Sequence, residues 1–290
     1  MIKFLSVLVW LGLGASLAFA QDRANAPDTL AYYIATNAAA RTAGSVEFEP
    51  FKAPHSLGLD RLTGAHWSTT FWLHGVHGLS ATPIGFTNLT GGQGLPTLVS
   101  PRHFLCATHM HPESYMIAFL DTNNVVYYRR ALQRVDVGSD TSIGLLDSDV
   151  PASVEFLPVL PTNFMDYLPA SPTNLIQGVG MNQSFLVFPQ PMFFGAPGFV
   201  DWNPQMAVPH GVSTNFNVPI VGGDSSNPEM LLFGDQLVLA SHNYWANGGP
   251  NYAYQIYAID QKMHYLSTNN RCTSDYQLKE YSLTNWPKIH

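Results

Sequence analysis

The stretch VGGDSSNPEM, residues 221–230, decides how this chain is read. An apolar approach, FNVPIV, runs into Gly222 and Gly223, then Asp224, Ser225, Ser226 and Asn227, and meets Pro228. Small residues of this kind gather where the backbone turns tightly, because glycine and serine permit bends that larger side chains resist, while proline cannot donate to a sheet ladder. A plain loop and a catalytic turn share that composition. Only partners elsewhere in the chain distinguish the two.

The rest of the sequence limits what those partners can be. Residues 1–20, MIKFLSVLVWLGLGASLAFA, carry a single Lys, an apolar run and a small-residue Ala18-Phe19-Ala20 ending, the build of a secretory signal peptide. The run is short for a membrane span of about 20 apolar residues. No Cys follows the expected cut, which argues against a lipid anchor. The expectation is a secreted or periplasmic protein with no membrane attachment after signal cleavage. Removing 20 of 290 residues leaves 270, enough for one large all-β unit or two modest barrels. Lys and Arg number 13 against 20 acidic residues, a formal charge of −7, or −8 once Lys3 is removed, and the basic residues are scattered. Nothing in that distribution favours nucleic acid. Only 11% of residues are charged and 46% are hydrophobic, alongside 23 Gly and 21 Pro, which describes a turn-rich β protein with a real core rather than a disordered chain.

Along the chain, TLAYYIATNAAAR in residues 29–41 reads as a short Ala-rich helix capped by Asp28 and peripheral to the core. From Thr69 onward short β-like runs alternate with Gly, Pro and Asn. AFLDTNNVVYY reads as a hairpin turning at residues 121–124, and LLFGDQLVLAS as a second turning at Gly234-Asp235. Residues 157–174 are Pro-rich and form a connection. YAYQIYAIDQKMHYLS places Tyr254, Ile256, Tyr257, Ile259, Met263 and Tyr265 on a final strand passing into an amphipathic helix. The organisation expected is therefore a signal peptide over 1–20, an extension over 21–50, a first β-barrel over 51–160 and a second over 161–290 ending in an α-helix.

The partners for the opening stretch are FLCATHMHP and GSDTSIGLLDSDVP, so the chain order is His, Asp, Ser. A serine hydroxyl needs an imidazole to take its proton and a carboxylate to hold that imidazole in the right tautomer. It also needs backbone N–H groups aimed at the developing oxyanion, and a glycine-rich turn can present them. These three blocks resemble the chymotrypsin-like serine peptidases, a family of two Greek-key β-barrels. The resemblance implies His109 as base in LCATHM, Asp140 as orienting carboxylate, Ser225 as nucleophile and the amides of Gly223 and Ser225 as the oxyanion hole. It further implies a polypeptide substrate, no cofactor and no metal, with Ser241 in LVLASHNY at the small position near the triad. Pro219 stands where trypsin-type members carry an acid, which implies a primary pocket for uncharged side chains. The chain departs from the family at Ser226 and Asn227, where the signature has glycines. No Ile-Val-Gly-Gly-like activation site follows the signal peptide.

Rival readings exist for each residue. His111 competes with His109, and Asp136, Asp147 and Asp149 compete with Asp140. His109, His111 and Glu113, with His74 and His77, form an alternative metal cluster of the kind a cupin-like barrel would use. A third reading is a lapsed member of the family, acting as a secreted binding module. Cys106, three residues before His109, is expected to be a free buried thiol rather than a partner of Cys272.

Overall fold

The computed structural model describes residues 29–44, 47–53, 62–86, 94–113, 115–168, 175–195, 198–202, 218, 220–244 and 248–289. The segment read as a signal peptide lies outside them. Most of the described chain is β, in two curled six-stranded antiparallel sheets followed by a helix. The strands are β1 (Phe51–Lys52), β2 (His66–Trp67), β3 (Pro83–Phe86), β4 (Thr97–Leu98), β5 (His103–Ala107), β6 (Met116–Leu120) and β7 (Val126–Gly138). They continue as β8 (Thr141–Leu146), β9 (Leu175–Met181), β10 (Val187–Phe193), β11 (Phe199–Trp202), β12 (Pro228–Phe233), β13 (Gln236–His242) and β14 (Gly248–Pro250). The first sheet runs β3-β6-β7-β8-β5-β4 and the second β13-β12-β9-β10-β11-β14; β1 and β2 form a separate ribbon. Both expected hairpins are present, β6–β7 and β12–β13. Every residue of β8 and β12 is buried, as expected of strands covered on both faces of a curled sheet. Among the described residues no helix is long and apolar enough to cross a membrane.

Two helices cover the sheets. The first, α1 (Leu30–Arg41), is capped by Thr29, whose Oγ1 accepts the Tyr32 N–H at 3.2 Å; Asp28, the cap expected from sequence, lies outside the described residues. This helix is no peripheral element. Leu30 and Ile34 are buried in an apolar cluster with Leu231, Val238 and Trp202 of the second sheet, and Asn37 donates to the Gly234 carbonyl at 2.8 Å. The second, α2 (Ile256–Asn269), buries Ile256, Ile259, Met263 and Leu266, a spacing that puts them on one face. Tyr254, Tyr257 and Tyr265, assigned from sequence to the apolar pattern, face solvent instead. Tyrosine tolerates this because its hydroxyl prefers a wet end.

One apolar cluster passes through both halves: Phe104, Ile143 and Leu145 of the first sheet, Val179, Met230 and Leu239 of the second, and Ile259 and Met263 of α2. Burying each such side chain contributes about 1.5–3 kcal/mol, so the two sheets are held against one another by ordinary core energetics. The Pro-rich connection joins this core. Leu157, Val159 and Leu160 are buried, and Val159 bridges Leu239 and Glu280. Both cysteines are free; burial pushes the Cys106 thiol up to about 12, so it carries no thiolate at neutral pH.

His103 ties the first sheet to α2. Its Nδ1 pairs with Ser100 Oγ at 2.9 Å and its Nε2 with Ser267 Oγ at 3.3 Å, and burial lowers its pKa to about 4. The unfolded chain takes up a proton near 6.5 and the native state does not, so this ring's contribution is intact above pH 6.5 and is lost as pH falls from there toward 4. At pH 4.5 the loss is roughly 2–3 kcal/mol. Thermal denaturation from pH 7.5 to 4.5 is expected to show a steep fall in Tm. In His103→Gln, which cannot be charged, Tm is expected to start lower and fall less; a slope equal to the parent's would assign the acid lability elsewhere.

Candidate active site

His109 follows β5, and Asp140 sits in the turn between β7 and β8. That turn has two residues, Ser139 and Asp140, both with positive φ (52° and 55°), the geometry that matches the twist of a tight hairpin. Aspartate tolerates the left-handed region better than most residues. The turn aims its carboxylate at His109: Oδ2 lies 2.6 Å from the ring Nδ1 and Oδ1 accepts the His109 backbone N–H at 3.1 Å. The Thr108 N–H donates to the Asp140 backbone carbonyl at 2.8 Å. A carboxylate accepts, so Nδ1 carries the proton and Nε2 is left as a lone-pair acceptor. His109 is 46% exposed against 14% for Asp140, so the ring reaches solvent while its carboxylate partner is covered.

The stretch quoted at the outset folds into a chain of tight turns before β12. Gly223 takes φ 105°, as a glycine can at no steric cost. Among the described residues the Asp224 N–H donates to Val221 O and the Ser226 N–H to Asn243 O, while the Gly223 and Ser225 amides form no hydrogen bond. Asp224 is fully buried, and its acceptors are taken up by the chain itself: Val221 N–H at 2.7 Å, Gln183 N–H at 2.6 Å and Asn227 Nδ2 at 3.3 Å. Burial raises its pKa, against the lowering effect of those amides. Ser225 is half-buried, whereas the Ser226 hydroxyl is covered and accepts the Ala107 N–H at 2.7 Å. Of the two serines, only Ser225 offers an accessible hydroxyl.

A β-carbon built on Gly94 would lie 1.2 Å from the Ser225 carbonyl oxygen, so the chain entering β4 touches the turn backbone to backbone. Beside this contact opens a cavity of about 330 Å³ whose walls include Phe86, Gly94, His109, Tyr115 and Ser226. His109 and Ser226 therefore line one cavity; Ser225 is not part of its wall, and no hydrogen bond joins the Ser225 hydroxyl to His109 among the described residues. Pro219 lies outside the described residues. Ser241 is buried in β13 with its Oγ donating to the His242 carbonyl at 3.2 Å.

The rival residues go to other partners. His111 Nδ1 and Glu113 Oε1 both face Arg134, at 2.8 and 2.6 Å. A guanidinium only donates, so His111 Nδ1 accepts, and a cation already occupies the place where a metal reading would put its ion. Arg134 also donates to the Thr108 carbonyl, supporting the His109 turn from beneath. His77 pairs with Glu155 at 2.7 Å. Among the described residues no group of three His, Cys, Asp or Glu side chains gathers for a metal. Asp136 accepts from Thr108 Oγ1, and Asp149 from the Tyr276 hydroxyl.

The sequence reading missed His242 and Glu229. His242 is buried against the Asp140 backbone and near the His109 ring, and its Nδ1 meets the Tyr252 hydroxyl. Burial lowers its pKa to about 3, keeping a neutral ring behind the His109–Asp140 pair. Glu229 interrupts the apolar run PEMLLF, a signal that was legible. Its carboxyl is fully buried beside the Asn243 side chain, and Oε2 meets Gln190 Nε2.

A scan against protein-family models finds no match to this chain, and a search of curated proteins finds none either.

Burial, and then the charge of Asp224, holds the Glu229 pKa well above the usual carboxylate range. The native state keeps a proton that the unfolded chain releases near 4.5, so stability falls as pH rises above 4.5 through the native pKa. Glu229→Gln keeps the shape, still accepts from Gln190 and has no charge to bury. Its Tm is expected to exceed the parent's at pH 8, with the gap closing toward pH 4.5; a variant less stable at pH 8 would show that Glu229 is ionised and paired.

Proposed function

We propose that this chain is a secreted serine endopeptidase of the chymotrypsin-like kind, two Greek-key barrels with the reaction in the cleft between them. The observation that carries the reading is the 2.6 Å contact between His109 Nδ1 and Asp140 Oδ2, the two residues to which the family resemblance assigned the base and its orienting carboxylate. It leaves Nε2 free to act as a base. The unspent amides of Gly223 and Ser225 supply the second element.

The chemistry runs through this chain's own residues without a cofactor. Ser225 Oγ attacks the peptide carbonyl as His109 Nε2 takes its proton, and Asp140 stabilises the imidazolium that forms. The carbonyl oxygen, now an oxyanion, is met by the Gly223 and Ser225 N–H groups, an interaction absent from the ground state and so one that lowers the barrier. His109 returns the proton to the leaving amine, the C–N bond breaks and an acyl-enzyme remains. Water, activated by the same ring, releases it. The buried, consumed hydroxyl of Ser226 takes no part in this sequence.

The second reading, a lapsed enzyme serving as a binding module, is favoured by the absence of a Ser225–His109 hydrogen bond among the described residues. Such bonds often form only when substrate arrives, so the first reading stands.

A fluorophosphonate probe, which acylates only an activated serine, separates the two. The parent is expected to label and Ser225→Ala to lose labelling completely. Asp140→Asn keeps a residue that accepts positive φ, so it is expected to fold normally and lose about 10⁴-fold in turnover through the wrong imidazole tautomer. His111→Ala and Asp136→Asn are expected to stay within about tenfold, since neither touches the reacting atoms. Equal labelling of Ser225→Ala and parent would move the nucleophile elsewhere; no labelling of a folded parent would leave the binding module.

A further inference from the structure

The two departures from the family signature, Ser226 and Asn227, occupy positions where the resemblance leads one to expect glycine. Ser226 has φ 75°, a conformation glycine adopts freely and serine does not. A strained serine in a buried turn calls for a compensating contact, and the structure supplies one at each residue. Ser226 Oγ accepts the Ala107 N–H at 2.7 Å, and Asn227 Oδ1 accepts the Leu95 N–H at 2.8 Å. Both bonds are buried and both cross from the turn before the second sheet's β12 to the first sheet. Ala107 is the residue on which the His109 turn is built, its carbonyl accepting the Met110 N–H at 3.1 Å. Leu95 adjoins Gly94, the residue pressed against the Ser225 carbonyl. One bond therefore ends beside His109 and the other beside Ser225. The backbone of the same two residues is fixed from the other side, where the Ser226 N–H donates to Asn243 O at 2.8 Å and Asn227 O accepts the Asn243 N–H at 2.9 Å.

We propose that Ser226 and Asn227 are positioning residues, whose side chains clasp the nucleophile turn to the first sheet and thereby set the spacing between Ser225 and His109. The proposal rests on the reading of those two as nucleophile and base. Glycines in their place provide no side-chain acceptor, so no side-chain hydrogen bond from these two positions would then tie the turn to Ala107 and Leu95. An error of about 1 Å between reacting groups costs on the order of a hundredfold in rate, which is why two buried hydrogen bonds at this seam matter more to chemistry than to folding.

The test uses the full exported chain with two readouts, the rate of fluorophosphonate labelling and the hydrogen exchange of individual amides, on the parent, Ser226→Gly, Asn227→Ala and Ser225→Ala. Ser226→Gly relieves the backbone strain as it removes the hydroxyl, so its Tm is expected to stay close to the parent's. Its labelling is expected to slow by roughly 10- to 100-fold, and its Ala107 amide to exchange at least about tenfold faster. Asn227→Ala is expected to do the same at Leu95. A purely structural role predicts the reverse for Ser226→Gly, with labelling restored to the parental rate because the fold is intact. That result overturns the proposal, as does unchanged exchange at Ala107 and Leu95. If the parent and Ser225→Ala label alike, or neither labels, the serine peptidase reading fails and takes the positioning role with it. Exchange at the two amides then shows separately whether the clasp exists.

Discussion

Ser225 presents its carbonyl oxygen so close to the α-carbon of Gly94 that no side chain fits between them. That contact is a constraint on the whole molecule, because it fixes where the end of one curled sheet meets the end of the other. The shared apolar cluster brings the sheets together, but apolar packing is non-directional and tolerates small slides. A backbone-to-backbone contact flanked by buried hydrogen bonds does not. The cavity beside His109 lies at this seam, with Gly94 and Ser226 both in its wall, and His109 and Ser225 belong to opposite sides of it.

Three titratable side chains buried in the interior each have the charged form disfavoured. His242 and His103 are buried rings whose charged forms are disfavoured, and Glu229 is a buried carboxyl whose charged form is disfavoured. Burial acts in opposite directions on the two kinds of group, lowering the imidazoles and raising the carboxyl, and in each case it disfavours the charged form. The consequence for the site is electrostatic. Of the charged groups around His109, Asp140 is the one that touches its ring, while Arg134 and Glu113 pair with one another beside the same turn. A charged His242 directly behind Asp140 would compete for that carboxylate.

Much of this was legible in the sequence, and the parts that were not have physical reasons. His109 and Asp140 could be chosen because each stands at a fixed place relative to an apolar run, and strand ends are where a β protein exposes its chemistry. The hairpins at residues 121–124 and 234–235 followed from turn chemistry. The error on the C-terminal tyrosines came from counting them as apolar. At helical spacing Tyr257 and Tyr265 fall off the stripe formed by Ile256, Ile259, Met263 and Leu266, and only the solvated face is left for them. The N-terminal helix looked peripheral because its residues are small, yet small residues are what allow a helix to lie close on a sheet. His242 carried no local signal at all. Its environment is made by Tyr252, ten residues on, and by Asp140, which lies in the first sheet's hairpin where no spacing rule reaches.

Ser226 and Asn227 show how a departure from a familiar pattern should be weighed. Read as sequence, two side chains in place of glycines crowd a tight turn and count against it. In the fold their polar atoms reach two backbone amides of the opposite sheet that would otherwise be buried without a partner. An unsatisfied buried N–H costs about 1–3 kcal/mol, comparable to the strain of one serine at positive φ. The substitutions and the unpaired amides thus offset one another, and neither makes sense alone. Glycine in both places would need the Ala107 and Leu95 amides to be satisfied by other means. The turn in this chain is tied to both sides: its backbone pairs with Asn243 at the end of β13, and the Ser226 and Asn227 side chains accept the Ala107 and Leu95 amides, so the segment carrying Ser225 is linked through hydrogen bonds to the strand that leads into His109.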